Sequence, residues 1–286
     1  MDIQAHVVEQ GSGEPVVFLH GSYATPSTWK KLMERMASTH HCIAIRLPGH
    51  GGLPDPDDFE APTIETELAV LQAVVRARTD RPIHLVGHSY GGVVALAQAL
   101  KSVKRQGGDQ KNRAGQDDQD DPNDQGALPL AELTLFEPVA TWVLDAVGDA
   151  PMQARVQAFL NRYRRDAAQG VPDVCGQVID FWGGANDFAA LPPHIRSTMA
   201  TMVGNNLRHW DICTRALHTE DDLRRLSVPT RLVCGTRSNE VAHAIVDHLH
   251  RLLPRNRRWE IEGASHGLVT SHADACWEVL QAAVLP

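Results

Sequence analysis

Gly87-His88-Ser89-Tyr90-Gly91 sets a serine between two glycines, directly after the apolar run Ile83-His84-Leu85-Val86 and directly before a stretch with helical apolar spacing. A G-x-S-x-G run means little by itself, because both residue types are common. In a strand–turn–helix setting it is the arrangement that nucleophilic catalysis needs. The turn forces the serine into a strained backbone geometry, and the glycines keep Cβ atoms out of the crowded junction. Ser89 Oγ is thereby held at the C-terminal edge of the sheet, on a helix N-terminus that favours developing negative charge. A serine hydroxyl attacks an acyl carbon when a neighbouring base takes its proton. The chain has 15 histidines, so residue type alone selects none. His266 stands out by place: it lies in Gly263-Ala264-Ser265-His266-Gly267, after the last apolar run, in a Gly-flanked loop able to reach over the sheet edge. A neutral imidazole there takes the proton from Ser89 and later delivers it to the leaving group. His272 is the weaker candidate, and His88 is expected to point away from Ser89.

The elements that must position these residues alternate between short apolar runs and helical patterns. Strands are expected at Gln4 to Glu9, Val16 to Leu19, Cys42 to Leu47, Ile83 to Gly87, Ala131 to Phe136, Thr230 to Cys234 and Arg258 to Glu262. Several are continuous apolar runs, as strands buried on both faces tend to be. Helices are expected at Thr28 to Ala37, Thr63 to Arg78, Gly91 to Lys104, Val241 to Leu253 and Asp274 to Val284. This alternation predicts an α/β fold with a mostly parallel central sheet flanked by helices. Two segments interrupt it. Residues 104–127 are rich in Asp, Gln and Gly and too poor in apolar groups to offset their ordering entropy, which predicts a mobile polar loop. Residues 139–227 have helical patterning and several aromatics but no convincing strand, which predicts a helical cap inserted before the penultimate core strand. The core then comprises 1–138 and 228–286.

With this order of elements the chain resembles the α/β-hydrolase fold superfamily over nearly its whole length. Three motifs join the Gly87–Gly91 turn in the superfamily's order. His20-Gly21-Ser22 follows the strand at Val16 to Leu19, where the superfamily has its oxyanion-hole turn. Pro48-Gly49-His50-Gly51 follows the next strand and matches the P-G-x-G loop. His266 follows the last strand, where the superfamily places its catalytic histidine.

The resemblance implies an oxyanion hole made by the backbone amides of Ser22 and Tyr90, with the Ser22 hydroxyl as a possible third donor and His20 supporting the turn. Such preset amides need no reorganisation as charge develops, and losing one typically costs ~3 kcal/mol. At the acid the chain departs from the pattern. Most of the superfamily carries Asp in a G-x-x-D turn after the penultimate strand, but here that turn reads Gly235-Thr236-Arg237-Ser238. Some relatives, certain haloalkane dehalogenases among them, carry the acid one strand earlier, where this chain has Glu137-Pro138. Glu137, Glu240 and a dyad without an acid are the three options, Glu137 the foremost.

Ser at the elbow separates this chain from epoxide hydrolases and dehalogenases, which use a carboxylate nucleophile. The resemblance therefore implies hydrolysis of a carboxylic ester or thioester of a small molecule through an acyl-enzyme, with no cofactor and no metal. C–C bond hydrolysis, acyl transfer and a non-catalytic binding role are the alternatives. Arg162, Arg164 and Arg165 are read as a solvated helix face, with an anionic substrate the other option. The 286 residues carry a net charge of -8 with no basic block, which argues against nucleic acid or anionic membrane as partner. The five cysteines are scattered and form no C-x-x-C, so neither a disulfide framework nor a zinc ribbon is expected. No run of 18 apolar residues occurs, and the polar N-terminal residues do not read as a signal peptide. The expected compartment is the cytoplasm.

Overall fold

The computed structural model describes residues 2–108, 126–215 and 218–284. One sheet holds β1 (Val7–Gln10), β2 (Glu14–Leu19), β3 (His40–Ile45), β4 (Ile83–His88), β5 (Leu130–Phe136), β6 (Thr230–Gly235) and β7 (Asn256–Ile261). Their order is β1-β3-β2-β4-β5-β6-β7. β1 runs antiparallel to β3 and the other neighbours pair in parallel. Each expected apolar run lies in a strand, with one notable shift at the start. Residues Ile3–His6 form a 3-10 turn capped by the Asp2 side chain, so β1 begins at Val7.

The helices are α1 (Lys30–Met36), α2 (Glu65–Arg76), α3 (Tyr90–Gly108), α4 (Trp142–Ala146), α5 (Ala150–Ala168), α6 (Gly176–Trp182), α7 (Pro193–Ala200), α8 (Val203–Cys213), α9 (Glu220–Arg224), α10 (Glu240–Leu252), α11 (Leu268–Ser271) and α12 (Ala273–Gln281). Strand periodicity sorts the core into two layers. Val16, Phe18, Val86, Phe136 and Val233 pack with α1 and α12. Val17, Leu19, Leu85, Leu135 and Leu232 pack with α2, α3 and α10. β2 and β6 are buried along almost their whole length, as central strands covered by helices on both faces must be.

Between β5 and β6 the described residues form the helices α4 to α9 and no strand. Residues 104–108, expected from composition to begin the polar loop, instead extend α3. Lys104, Arg105 and Gln106 are good helix formers and let the buried helix continue past its last apolar turn. The rest of that loop, 109–125, lies outside the described residues. Gly126 is tied down through its carbonyl, which accepts from Gln98 Nε2 at 2.9 Å. Among the described residues no helix is long and apolar enough to cross a membrane.

Strand register places the site. His88, the last residue of β4, is paired with Phe136, the last of β5, and Phe136 with Val233 of β6. The next residues, Ser89 and Glu137, therefore leave the sheet side by side at the same edge. β6 ends at Gly235 opposite Ile261 of β7, so the loop carrying His266 rises from that edge as well.

Candidate active site

Ser89 sits on the bend between β4 and α3 with φ 55°, the left-handed region that a serine rarely adopts. Its amide donates to Phe136 O at 3.0 Å, and its carbonyl receives the amide of Gly92 at 2.9 Å, which fixes the bend on both sides. Two glycines make this possible by close approach. A Cβ on Gly87 would meet Gly92 Cα at 2.7 Å, and one on Gly91 would meet His20 O at 2.6 Å. Glu137 has the same kind of backbone, φ 44°, at the end of β5, and its amide is held by Val233 O at 2.9 Å. Both strained residues persist because sheet hydrogen bonds over-determine them.

His266 lies between the two. Ser89 Oγ donates to Nε2 at 2.9 Å, and Nδ1–H donates to Glu137 Oε2 at 2.7 Å. Glu137 is 1% exposed. Its other oxygen accepts from the Gly235 amide at 2.7 Å and from the Ser238 hydroxyl at 2.5 Å. Burial alone would raise the Glu137 carboxyl. The hydrogen bond and charge of His266, then Ser238 and the Gly235 amide, outweigh burial and hold it below the ordinary glutamate value. The arrangement fixes one imidazole tautomer, leaving Nε2 free to accept the serine proton. Glu240 heads α10, ion-paired with Arg155 and half exposed, and does not touch His266. His272 turns to Ser271 at 2.8 Å.

The His20-Gly21-Ser22 turn abuts the same point: a Cβ on Gly21 would lie 3.5 Å from Ser89 Oγ. Among the described residues, neither the Ser22 amide nor the Tyr90 amide is engaged in a hydrogen bond. His20 braces the turn, with Nδ1–H donating to Gly21 O at 2.8 Å and Nε2 accepting from Leu47 N at 3.2 Å. His50 reaches Ser22 O with Nε2 at 2.5 Å, so the Pro48–Gly51 loop carries the other side of the turn. The Ser22 hydroxyl is already taken: it lies 2.6 Å from His209 Nδ1 and accepts from Asn206 Nδ2 at 2.8 Å. Its two partners, both on α8, make it a bracing group for the turn.

A model of the alpha/beta hydrolase family matches residues 16–279. The chain belongs to the alpha/beta hydrolase family. Over 91% of its length it is 25% identical to a pimeloyl-[acyl-carrier protein] methyl ester esterase of Neisseria meningitidis, covering 89% of that protein. A haloalkane dehalogenase of Agrobacterium fabrum is 33% identical over 36% of this chain, and a putative 2-succinyl-6-hydroxy-2,4-cyclohexadiene-1-carboxylate synthase of Haemophilus influenzae 36% identical over 30%. Those two matches span only 33% and 34% of the relatives' own lengths. Among solved structures, MenH from S. aureus superposes with a TM-score of 0.68 at 19% identity, covering 96% of each chain. An esterase from Exiguobacterium antarcticum gives 0.68 at 18%, covering 96% of this chain and 92% of its own. At such identities the likeness is one of fold.

A cavity of about 680 Å³ opens over Ser89, with Ser22, Tyr90 and His266 in its wall. Its roof comes from the β5–β6 helices. Of the aromatics there, Trp182 and Trp210 line the cavity, whereas Trp142, Phe159, Phe181 and Phe188 pack elsewhere. Trp182 lies against His266, ring centroids 5.6 Å apart. Arg164 pairs with Asp211, Arg165 with Asp166, and Arg162 sits over Phe159, so none of the three reaches the cavity. Among the described residues no group of three or more His, Cys, Asp or Glu is placed to hold a metal ion.

Two supporting residues escaped the sequence reading. His88 does point away from Ser89, but its Nε2–H donates to His266 O at 2.8 Å and so holds the histidine loop. Burial, then the neighbouring His266, pulls its imidazole down to about 3. His209 of α8 stacks on Tyr90 with centroids 3.6 Å apart while contacting Ser22, and no motif marks it.

Proposed function

We propose that the protein is a serine hydrolase that cleaves a carboxylic ester or thioester of a small molecule through an acyl-enzyme on Ser89. The observation that carries this reading is the unbroken hydrogen-bonded line from Ser89 Oγ through His266 to Glu137. Ser89 Oγ attacks the carbonyl carbon while His266 Nε2 takes its proton. The carbonyl oxygen becomes negative between the free amides of Ser22 and Tyr90, and Glu137 balances the imidazolium. Collapse expels the alcohol or thiol, which leaves with the proton from His266. Water then attacks the acyl-enzyme, giving its proton to the same nitrogen, and Ser89 is released with the carboxylic acid. In this reading α4 to α9 are a cap over a core of 1–138 and 228–286, and the cap shapes the pocket. The match to a methyl ester esterase along nearly the whole chain supports ester over halide or epoxide chemistry, whose nucleophile is a carboxylate.

The test is a fluorophosphonate probe with the adduct located by mass spectrometry. Labelling confined to Ser89, and lost in Ser89→Ala, supports the assignment. An unlabelled folded protein that also fails to hydrolyse activated esters would end it. Adding an alcohol or thiol acceptor to the assay separates hydrolysis from acyl transfer.

A further inference from the structure

We infer that the cavity selects substrates whose acyl and alkyl parts are uncharged or cationic and rejects those carrying a carboxylate, with Asp187 as the determinant. The inference rests on the ester-hydrolase reading and adds the substrate class to it. Val139, Ile179, Met199, Met202, Trp182 and Trp210 give the cavity an apolar wall. Among the described residues no Lys, Arg or Glu lines it, and Asp187 is its one acidic side chain. Arg162, Arg164 and Arg165 are engaged elsewhere, as described above, and Arg196, next to the lining residue Ile195, sits over the Phe188 ring, 5.8 Å from its centroid. Asp187 makes no ion pair among the described residues; its Oδ2 accepts from Ser265 Oγ at 3.3 Å, one residue before His266. The charge at the pocket wall is therefore negative and close to the reacting centre.

A substrate carboxylate entering here would leave water for an apolar wall that offers no cation, and would meet a like charge besides. An ammonium group would meet the opposite situation. Trp182 and Trp210 stack on each other with centroids 5.6 Å apart and line the same cavity as the Asp187 carboxylate, which is the charge that an ammonium group would meet. An uncharged alkyl or aryl group gains by burial alone.

The experiment measures binding, so that it stands apart from turnover. Three matched methyl ketone analogues, with an alkyl, a terminal carboxylate or a terminal quaternary ammonium group, are titrated into Ser89→Ala protein by calorimetry. The alkyl and ammonium compounds are expected to bind at least about tenfold tighter than the carboxylate. Adding Asp187→Asn should narrow the ammonium-to-carboxylate ratio by about fivefold or more, because the like-charge contact is gone. Equal or tighter binding of the carboxylate overturns the inference, as does a ratio that Asp187→Asn leaves unmoved or a failure of all three to bind. Fluorophosphonate labelling of Ser89 in the wild type reports separately on the hydrolase reading, so either can fail without the other.

Discussion

Ser238 donates its hydroxyl to Glu137 Oε1 at 2.5 Å while the other carboxylate oxygen of Glu137 holds His266. The residue at the position where most of the superfamily carries its acid thus hydrogen-bonds the carboxylate that contacts the imidazole. The acid and its supporting hydroxyl follow adjacent strands, β5 and β6. Glu137→Gln is expected to cut kcat/KM on an activated ester by about 10³–10⁴-fold, since an amide neither fixes the tautomer nor balances the imidazolium. Ser238→Ala removes one of three donors and should cost about tenfold. Placing Ser238→Asp in the Glu137→Gln background should recover at least about tenfold over Glu137→Gln alone, because the carboxylate returns to the same sheet edge. Failure of the double variant to recover would mean that only β5 can present an acid to His266.

One imidazole braces both sides of the expected oxyanion site. His209 bonds Ser22 Oγ at 2.6 Å and stacks on Tyr90 at 3.6 Å, and Asn206, one turn earlier on α8, donates to the same hydroxyl. The donor amides belong to Ser22 and Tyr90, so loosening this brace should weaken transition-state binding more than ground-state binding. His209→Ala is expected to lower kcat by about 10–100-fold with little change in KM. His209→Phe keeps a ring against Tyr90 without the hydrogen bond and should fall between. Steady-state kinetics on one ester decides it, and a rise in KM with kcat intact would assign His209 to substrate binding.

The fold was legible because its signals are local. Continuous apolar runs such as Val16 to Leu19 can only be strands buried on both faces, and Gly87 to Gly91 marks the one bend where a serine is forced outward. The order of runs then fixed which loops share an edge, which is why Ser89 and His266 were readable. Glu137 was readable only through the resemblance to relatives that carry the acid one strand earlier, since nothing in Glu-Pro itself signals a left-handed carboxylate. His209, Asn206 and Asp187 carry no motif. His209 and Asn206 reach the site from α8, and Asp187 from the connection between α6 and α7, through tertiary contacts that periodicity does not encode. The helical residues 104–108 were misread because polar composition does not distinguish a helix end from a loop.

Helix α8 is also anchored to the core through Arg208, which is almost wholly buried and forks onto Glu67 of α2 while also reaching Asp58 at 2.9 Å. Removing the guanidinium leaves the Glu67 carboxylate buried without its counter-charge. Arg208→Ala is expected to lose about 3–5 kcal/mol of unfolding free energy in urea titrations. Arg208→Ala combined with Glu67→Leu should regain part of that loss, because the stranded charge is gone. Because α8 also bears Asn206 and His209, activity of the single variant should fall even at temperatures where it remains folded.

Acid should destabilise the protein well before its carboxylates titrate. Burial holds the imidazoles of His20, His50 and His209 below their usual value near about 6.5, helped for His20 and His209 by neighbouring imidazoles, and His88 lies at about 3. Below about pH 6.5 the unfolded chain therefore binds protons at these positions that the folded chain refuses, so stability falls as pH falls. The loss begins at the unfolded value and for His88 continues until the pH nears 3. Each such group contributes a slope of up to ~1.4 kcal/mol per pH unit. Urea unfolding between about pH 6.5 and 5 reads this slope above the depressed Glu137 carboxyl, and the Glu67 carboxyl, raised by burial, contributes with the opposite sign in both proteins compared next. In His88→Gln, whose amide can still donate to His266 O, the slope should be shallower by about one proton. An unchanged slope would mean that the folded protein protonates His88 in that range, which its buried Nδ1, without a hydrogen-bond partner among the described residues, argues against.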